Sequence, residues 1–334
     1  MKEAILVLTN KEDKSVDGVI EMLKEGGEWV FRFNVESFPR LHQTTMELSA
    51  GTIQNIVVSE SGEVLSTQAI KSCWYRHAGT PGSDDGLTTQ NQEFIKAESR
   101  AAFWSFCTTT KAFWMNHPLR GVKLLENNKL YQMMIAAEIG IKVPDTIVTN
   151  NPSQLLRFCE QHGGTIAAKL LSGRVFQVEG KKDIQAIYTQ VITRDFIAKN
   201  KKGVRVAPIM GQEYVQKELE LRITFVNGQI FPCAIYSQDC ERTKHDWRRY
   251  DFKNVRHEPC KITGDLKKKI TELMALFGLS YGAIDMIITP KGEYVFLEVN
   301  PSGQWGWIEY LTGLPISQAI ASTLSHPPDT LQGL

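Results

Sequence analysis

Ser280 to Trp307 reads SYGAIDMIITPKGEYVFLEVNPSGQWGW. Two apolar runs, Ala283 to Ile288 and Tyr294 to Asn300, flank Pro290-Lys291-Gly292-Glu293, the pattern of two antiparallel strands joined by a short turn. A turn centred between Lys291 and Gly292 sets Asp285 opposite Glu298, and strand alternation adds Asn300 to the same face. Like charges facing each other across a sheet repel, and ionised carboxylates among Ile, Met, Val, Phe and Leu need compensation. A divalent cation supplies it. Oxygen donors favour Mg2+ over zinc, and Mg2+ keeps coordination positions for water and substrate phosphates. The same pattern also fits a solvent-facing hairpin with two unrelated acids, so the rest of the chain has to decide.

At 334 residues the chain is too long for one ordinary core and predicts two or three domains. A hydrophobic content of 42% with 22% charged residues describes a soluble globular protein, and a net charge of +1 gives no basic field for nucleic acid. Six cysteines (Cys73, Cys107, Cys159, Cys233, Cys240, Cys260) form no C-x-x-C pair and read as reduced structural residues. MKEAILVLTN enters a strand too soon for a signal peptide, and no apolar run reaches membrane-spanning length. These features predict a cytoplasmic location, with no membrane or nucleic-acid partner.

Ala4 to Thr9, the helical spacing of Val16, Val19, Ile20 and Leu23, and Trp29 to Asn34 form a βαβ opening. Further strands are expected at Thr52 to Val58, Gly62 to Leu65 and Ser72 to Arg76, with a helix over Asn91 to Thr108. Neither G-x-G-x-x-G nor a P-loop occurs. A first α/β domain, 1–118, precedes a central lobe, 119–208, and a C-terminal lobe, 209–334. The central lobe predicts a helix from Lys129 to Ala137, a strand Thr146 to Thr149, a helix Ser153 to Gln161 and a strand Thr165 to Leu170. Lys169 in that last strand either snorkels to water or meets a phosphate. Asp183 to Val191 reads as helical and Lys199 to Val206 as a mobile link. From Glu218, charged and apolar residues alternate as in a half-buried strand, with Glu218, Glu220 and Arg222 on one face; Asn227-Gly228 then turns a hairpin.

The ordered set Asn128-Lys129, Lys169, Gln212-Glu213-Tyr214-Val215, Glu220-Leu221-Arg222, Asp285 and Glu298-Val299-Asn300 resembles the ATP-grasp carboxylate ligases, an α/β (α+β) fold in which two lobes clasp ATP. The resemblance implies that Lys129 and Lys169 reach the ATP phosphates, that Gln212, Glu213, Tyr214 and Val215 hold adenine, and that Glu220 holds ribose. It also implies that Asp285, Glu298 and Asn300 hold two Mg2+ ions and that Arg222 faces the transferred phosphoryl group. The chemistry is ligation: metals and cations neutralise the phosphoryl oxygens while a carboxylate attacks, and a nucleophile then displaces phosphate from the acyl phosphate. One departure is the short segment after the strand lysine, Leu171-Ser172-Gly173-Arg174-Val175, whose single glycine makes Ser172, Gly173 and Arg174 weak lid candidates.

Within that superfamily the chain looks like the graspetide (microviridin-type) peptide macrocyclases. The residues that carry this are Cys73-Trp74-Tyr75-Arg76, Trp114-Met115-Asn116-His117-Pro118, the hinge run Tyr214 to Arg222, Asp246-Trp247-Arg248 and Asn300-Pro301-Ser302-Gly303-Gln304-Trp305. The resemblance implies a ribosomal precursor peptide as partner, with a leader docked on the central lobe around Val178 to Val206 and an acidic, Thr-rich core. Core Glu or Asp side chains would be joined to Thr/Ser hydroxyls or a Lys amine, and the enzyme would be a homodimer. Arg248, Arg249 and Arg256, with Lys244 and Lys253, form a basic segment that either steers core carboxylates toward Arg222 or is a solvated loop. Trp305 and Trp307 either wall an acceptor pocket or belong to the core. Two alternatives stand beside this one: a small-molecule or protein-tail ligase of the same fold, and a nucleotide-binding regulatory module without catalysis.

Overall fold

The computed structural model describes residues 2–82, 86–172, 176–177, 184–185, 188–249 and 251–328. A parallel sheet forms the first domain, in the order Trp29–Asn34, Ala4–Thr9, Ile70–Tyr75, Phe113–Met115. The strand Ala4–Thr9 is buried at every position, as an uninterrupted apolar run requires. Beside it lies a three-stranded antiparallel sheet whose first strand, Gln43–Ser49, has no counterpart in the sequence reading. That strand is mostly exposed and polar, so it carries little hydrophobic alternation.

The central sheet is antiparallel, in the order Gln190–Thr193, Thr165–Lys169, Ile209–Glu213, Thr146–Thr149. Two expectations change here. The described parts of Asp183 to Val191 are extended, in Ile184–Gln185 and Gln190–Thr193, and the expected link holds the short helices Arg194–Lys199 and Lys201–Val206. Thr193 caps the first of these by accepting from the Phe196 N–H. The boundary expected at 208/209 also moves, because Ile209–Glu213 hydrogen-bonds into the central sheet on both sides.

The third sheet is antiparallel and five-stranded, in the order His257–Pro259, Gln229–Ile235, Leu219–Val226, Tyr281–Ile288, Tyr294–Asn300. Leu219–Val226 is buried along nearly its whole length rather than half-buried. Asn227 and Gly228 both take positive φ (44° and 88°), the backbone of a tight hairpin turn. The helix Lys129–Glu138 packs on this lobe, with Met133 and Ala136 in one core with Leu221, Met286 and Phe296.

First domain and C-terminal lobe share a core. Val16, Trp74 and Met115 pack with Cys233, Trp305 and Ile320, so Trp305 is a core residue and not the wall of a pocket. Its Nε1–H donates to Ser317. Asn116, 1% exposed, joins the two bodies. Its Oδ1 accepts from the N–H groups of Ser280 (2.8 Å) and Tyr281 (3.0 Å), and its Nδ2 donates to the carbonyls of Tyr281 (2.8 Å) and Pro301 (3.0 Å). Replacing it with alanine orphans several buried backbone groups, each worth ~1–3 kcal/mol. Asn116→Ala is therefore expected to cost at least about 3 kcal/mol, read as a lower denaturant midpoint. An unchanged midpoint would contradict the clamp.

Arg76, 1% exposed, serves the same junction. It pairs with Asp13 (3.2 Å), lies 4.7 Å from the Trp305 ring centroid, and donates to the carbonyls of Ser302 and Gly303. The segments around Arg76 and Asn116, which carried the finer family resemblance, thus fix the loop that follows Asn300. The six cysteines are free, four of them buried. No helix among the described residues is long and apolar enough to cross a membrane.

Candidate active site

The hairpin that opens the sequence argument pairs as expected at the positions that matter: Asp285 lies opposite Glu298 and Ala283 opposite Asn300. Two irregularities produce this. The turn closes between Thr289 and Glu293 around Gly292 at φ 76°, one residue tighter than expected, and Ile288 therefore faces Tyr294. The register then shifts beyond Met286 and Phe296, leaving Leu297 as an extra residue that restores the Asp285–Glu298 pairing. A bulge of this kind re-aims side chains, and Leu297 and Glu298 both line the cleft between the central and C-terminal lobes.

Glu298 accepts from the Lys129 ammonium at 2.9 Å and has the Arg248 guanidinium at 3.8 Å. Burial alone would raise its pKa; the charges of Lys129 and Arg248 outweigh that and hold it at about 2. Lys129 is placed by Gln132, whose Oε1 accepts from Val299 N–H (2.8 Å) and whose Nε2 donates to Leu125 O (2.9 Å). That contact ties the start of one helix to the edge strand bearing Glu298.

Asp285 is 6% exposed, and burial raises its carboxyl against the pull of Arg222, itself 5% exposed. Arg222 is the cross-strand partner of Asp285, and its Nη1 lies 2.9 Å from both carboxylate oxygens. Arg222 stands behind Asp285 and does not line the cleft, so in this structure it neutralises a carboxylate rather than facing open space. Asn300 accepts from the Ser302 N–H at 3.0 Å and opens onto a second, adjoining cavity.

The first cleft lies between the central and C-terminal lobes. Lys129 and Lys169 line one part of it, and Gln212, Glu213, Tyr214 and Val215 the hinge side. Gln212 donates to Thr146 Oγ1 (2.9 Å), the Tyr214 hydroxyl meets His245 Nδ1 (2.9 Å), and Glu213 reaches back to the Asp145 N–H at 3.5 Å. Burial raises the Glu220 carboxyl, against the nearby Lys217 charge at 2.6 Å.

Lys217 and Asp246 stand in the segments that carry the resemblance, but the sequence alone assigns neither a role. Asp246 grips Arg248 through Nε (2.9 Å) and Nη2 (2.7 Å) and also accepts from the Thr189 N–H (2.9 Å). Burial pushes its carboxyl up, and the Arg248 pair more than reverses that, holding it well below the usual range. The Asp-x-Arg spacing of Asp246-Trp247-Arg248 was the available signal. Elsewhere in the basic segment, Lys244 pairs with Glu241 and Arg256 with Glu258, while Arg249 lies against the Tyr188 ring. Ser172 lines the second cavity; Gly173, Arg174 and, within Val178 to Val206, residues 178–183 and 186–187 lie outside the described residues.

Lys169 decides what this cleft can hold. Burial, and then the neighbouring Lys129, lower its pKa to about 8, and it makes no ion pair among the described residues. An ammonium beside a second cation, with the Glu298 and Asp246 carboxylates near but no ion pair of its own, suits an anionic polyphosphate. Three oxygen donors at Asp285, Glu298 and Asn300 suit Mg2+, which would supply positive charge against the phosphates. Because Lys169 loses its proton as pH rises through about 8, affinity for ADP is expected to fall between pH 7 and pH 9. Titration calorimetry at the two pH values checks this; equal affinity, or tighter binding at pH 9, would contradict it.

Residues 4–120 match the family described as the MvdD pre-ATP grasp domain, and residues 126–324 the RimK-like ATP-grasp domain. A RiPP-associated ATP-grasp ligase of Chryseobacterium gregarium, solved with ADP, a leader and a core peptide, superposes with a TM-score of 0.90 at 29% identity over 99% of both chains. The macrocyclase MdnC of Microcystis aeruginosa, bound with its precursor peptide, gives a TM-score of 0.83 at 30% identity over 96% of this chain and 99% of that one. Among curated proteins, an alpha-aminoadipate–LysW ligase of Sulfolobus acidocaldarius is 25% identical over 175 residues, 52% of this chain and 60% of the relative. This chain therefore spans only part of the curated relatives it matches. With one family model covering more than half its length and a macrocyclase aligned end to end at 30% identity, the protein belongs to the ATP-grasp ligases, in the family of the graspetide (microviridin-type) enzymes.

Proposed function

We propose that this protein is an ATP-dependent peptide macrocyclase. It phosphorylates Glu or Asp side chains of a ribosomal precursor peptide and joins them to Thr/Ser hydroxyls as esters or to a Lys amine as an amide, releasing ADP and phosphate. The observation that carries this reading is the second cavity, which opens off the nucleotide cleft across Lys129, Arg248 and Glu298. A cleft for nucleotide alone needs no such annex; a ligase that brings a bulky carboxylate and its nucleophile to the γ-phosphate does. The peptide-bound and ADP-bound states of the similar ligases support the same assignment.

Each residue has a role on this reading. Lys129 and Lys169 hold phosphate oxygens, the hinge from Gln212 to Val215 holds adenine, and Glu220 holds ribose. Asp285, Glu298 and Asn300 bind two Mg2+ ions. Arg248, held by Asp246, lines both cavities, where it meets the activated carboxylate. Arg222 keeps Asp285 ionised in a buried place. The leader docks on the central lobe, and two copies of the chain form the working enzyme.

The test is ADP release with Mg2+ and either a precursor peptide rich in Thr and Glu or free amino acids. Stimulation by the peptide, and none by amino acids, is expected. Stimulation by a free amino acid alone would move the assignment to a small-molecule ligase of the LysW-ligase kind.

A further inference from the structure

Ligation needs a proton acceptor as well as a phosphoryl donor. When a hydroxyl or amine adds to the acyl carbon, its lone pair makes the new bond and the C–O bond to phosphate breaks. Phosphate leaves with that electron pair, and the nucleophile's proton must go to a base. The second cavity is where that base has to stand, because it adjoins the cleft at Lys129, Arg248 and Glu298 and extends to Tyr75 and His77 of the first domain.

Most ionisable groups facing it are committed. Glu298 is held by Lys129 at 2.9 Å and Arg248 at 3.8 Å. Lys129 and Arg248 are cations engaged by Glu298 and Asp246. His77 is lowered to about 4 by burial and by Arg76, which makes its ring a feeble acceptor. Burial raises the Tyr75 hydroxyl well out of the working range, so it remains a phenol. Glu126 is left. It is the one carboxylate besides Glu298 among the described residues of this wall, it is solvent-accessible, and its side chain has no partner among the described residues.

We propose that Glu126 is the general base of the acceptor half-reaction, receiving the proton of the attacking hydroxyl or amine; this rests on the ligase function proposed above. Partial withdrawal from water raises its carboxyl above the ordinary value, the direction a base working near neutral pH requires. It lines the second cavity, three residues before Lys129, and does not line the nucleotide cleft, which leaves phosphoryl transfer to other residues.

The experiment separates the half-reactions. Wild-type and Glu126→Gln protein are given ATP, Mg2+ and precursor; the acyl phosphate is trapped with hydroxylamine as the hydroxamate, and ring closure is followed by intact mass. Glu126→Gln is expected to form hydroxamate at the wild-type rate while ring closure falls about 10²–10⁴-fold. Glu126→Asp should recover part of the closure rate, and the acidic limb of its pH profile, present in wild type, should vanish in Glu126→Gln. Near-normal closure by Glu126→Gln, or equal loss of both half-reactions, would overturn the assignment. If wild-type protein itself yields neither hydroxamate nor closed rings, the ligase reading fails instead.

Discussion

Glu298→Gln is expected to lower ligation by about 10³-fold or more while leaving the chain folded. The two side chains have the same shape, so the bulge at Leu297 and the pairing with Asp285 survive. What is lost is the charge at the junction of the two cavities. Lys129 loses its partner at 2.9 Å, and Lys169, already lowered to about 8 by burial and by Lys129, faces further unopposed cations. The site then lacks the anionic oxygen that would hold Mg2+ against the phosphates. Because Glu298 sits at about 2, no ordinary pH change reproduces the substitution. The check is single-turnover ligation with saturating Mg2+, beside a thermal melt and ADP binding. Wild-type turnover at ordinary Mg2+ would remove Glu298 from the metal site.

Arg222→Ala should act first on stability. Arg222 and Asp285 are 5% and 6% exposed, and removing one partner of such a pair leaves a buried charge uncompensated, a loss of about 3–5 kcal/mol. The thermal midpoint is expected to fall by several degrees, and ligation to fall with it because Asp285 no longer stays ionised. A double substitution, Arg222→Met with Asp285→Leu, separates the effects. It removes both charges, so stability should largely return while ligation does not. An unshifted midpoint in Arg222→Ala, or a double variant as unstable as the single one, would show that the pair does not hold this part of the sheet.

The structure sets Arg222 against Asp285, a placement written in strand register and not in the resemblance that aims it at the phosphoryl group. Leu219–Val226 and Tyr281–Ile288 are neighbours, so Arg222 falls directly across from Asp285. Nothing in a one-strand alternation pattern announces which strand lies alongside. The Asp285–Glu298 pairing was legible, yet through two compensating irregularities: the turn is one residue tighter than expected and the bulge adds one residue back. Buried elements were read well because apolar runs and helical spacing are dictated by the core. The polar strand Gln43–Ser49 and the strand Gln190–Thr193 were not, since short mixed segments take their conformation from the sheets they join. Lys217 and Asp246 were in view within the quoted segments but carried no role for a related reason: each acts on a partner, Glu220 or Arg248, that only the fold brings into contact.

The most direct test of peptide macrocyclisation is the intact mass of a precursor peptide rich in Thr and Glu or Asp after incubation with this protein, ATP and Mg2+. Each ring expels one water, so stepwise losses of about 18 Da that require ATP are expected. A precursor whose mass never changes, while a free amino acid is consumed with ATP, would contradict it.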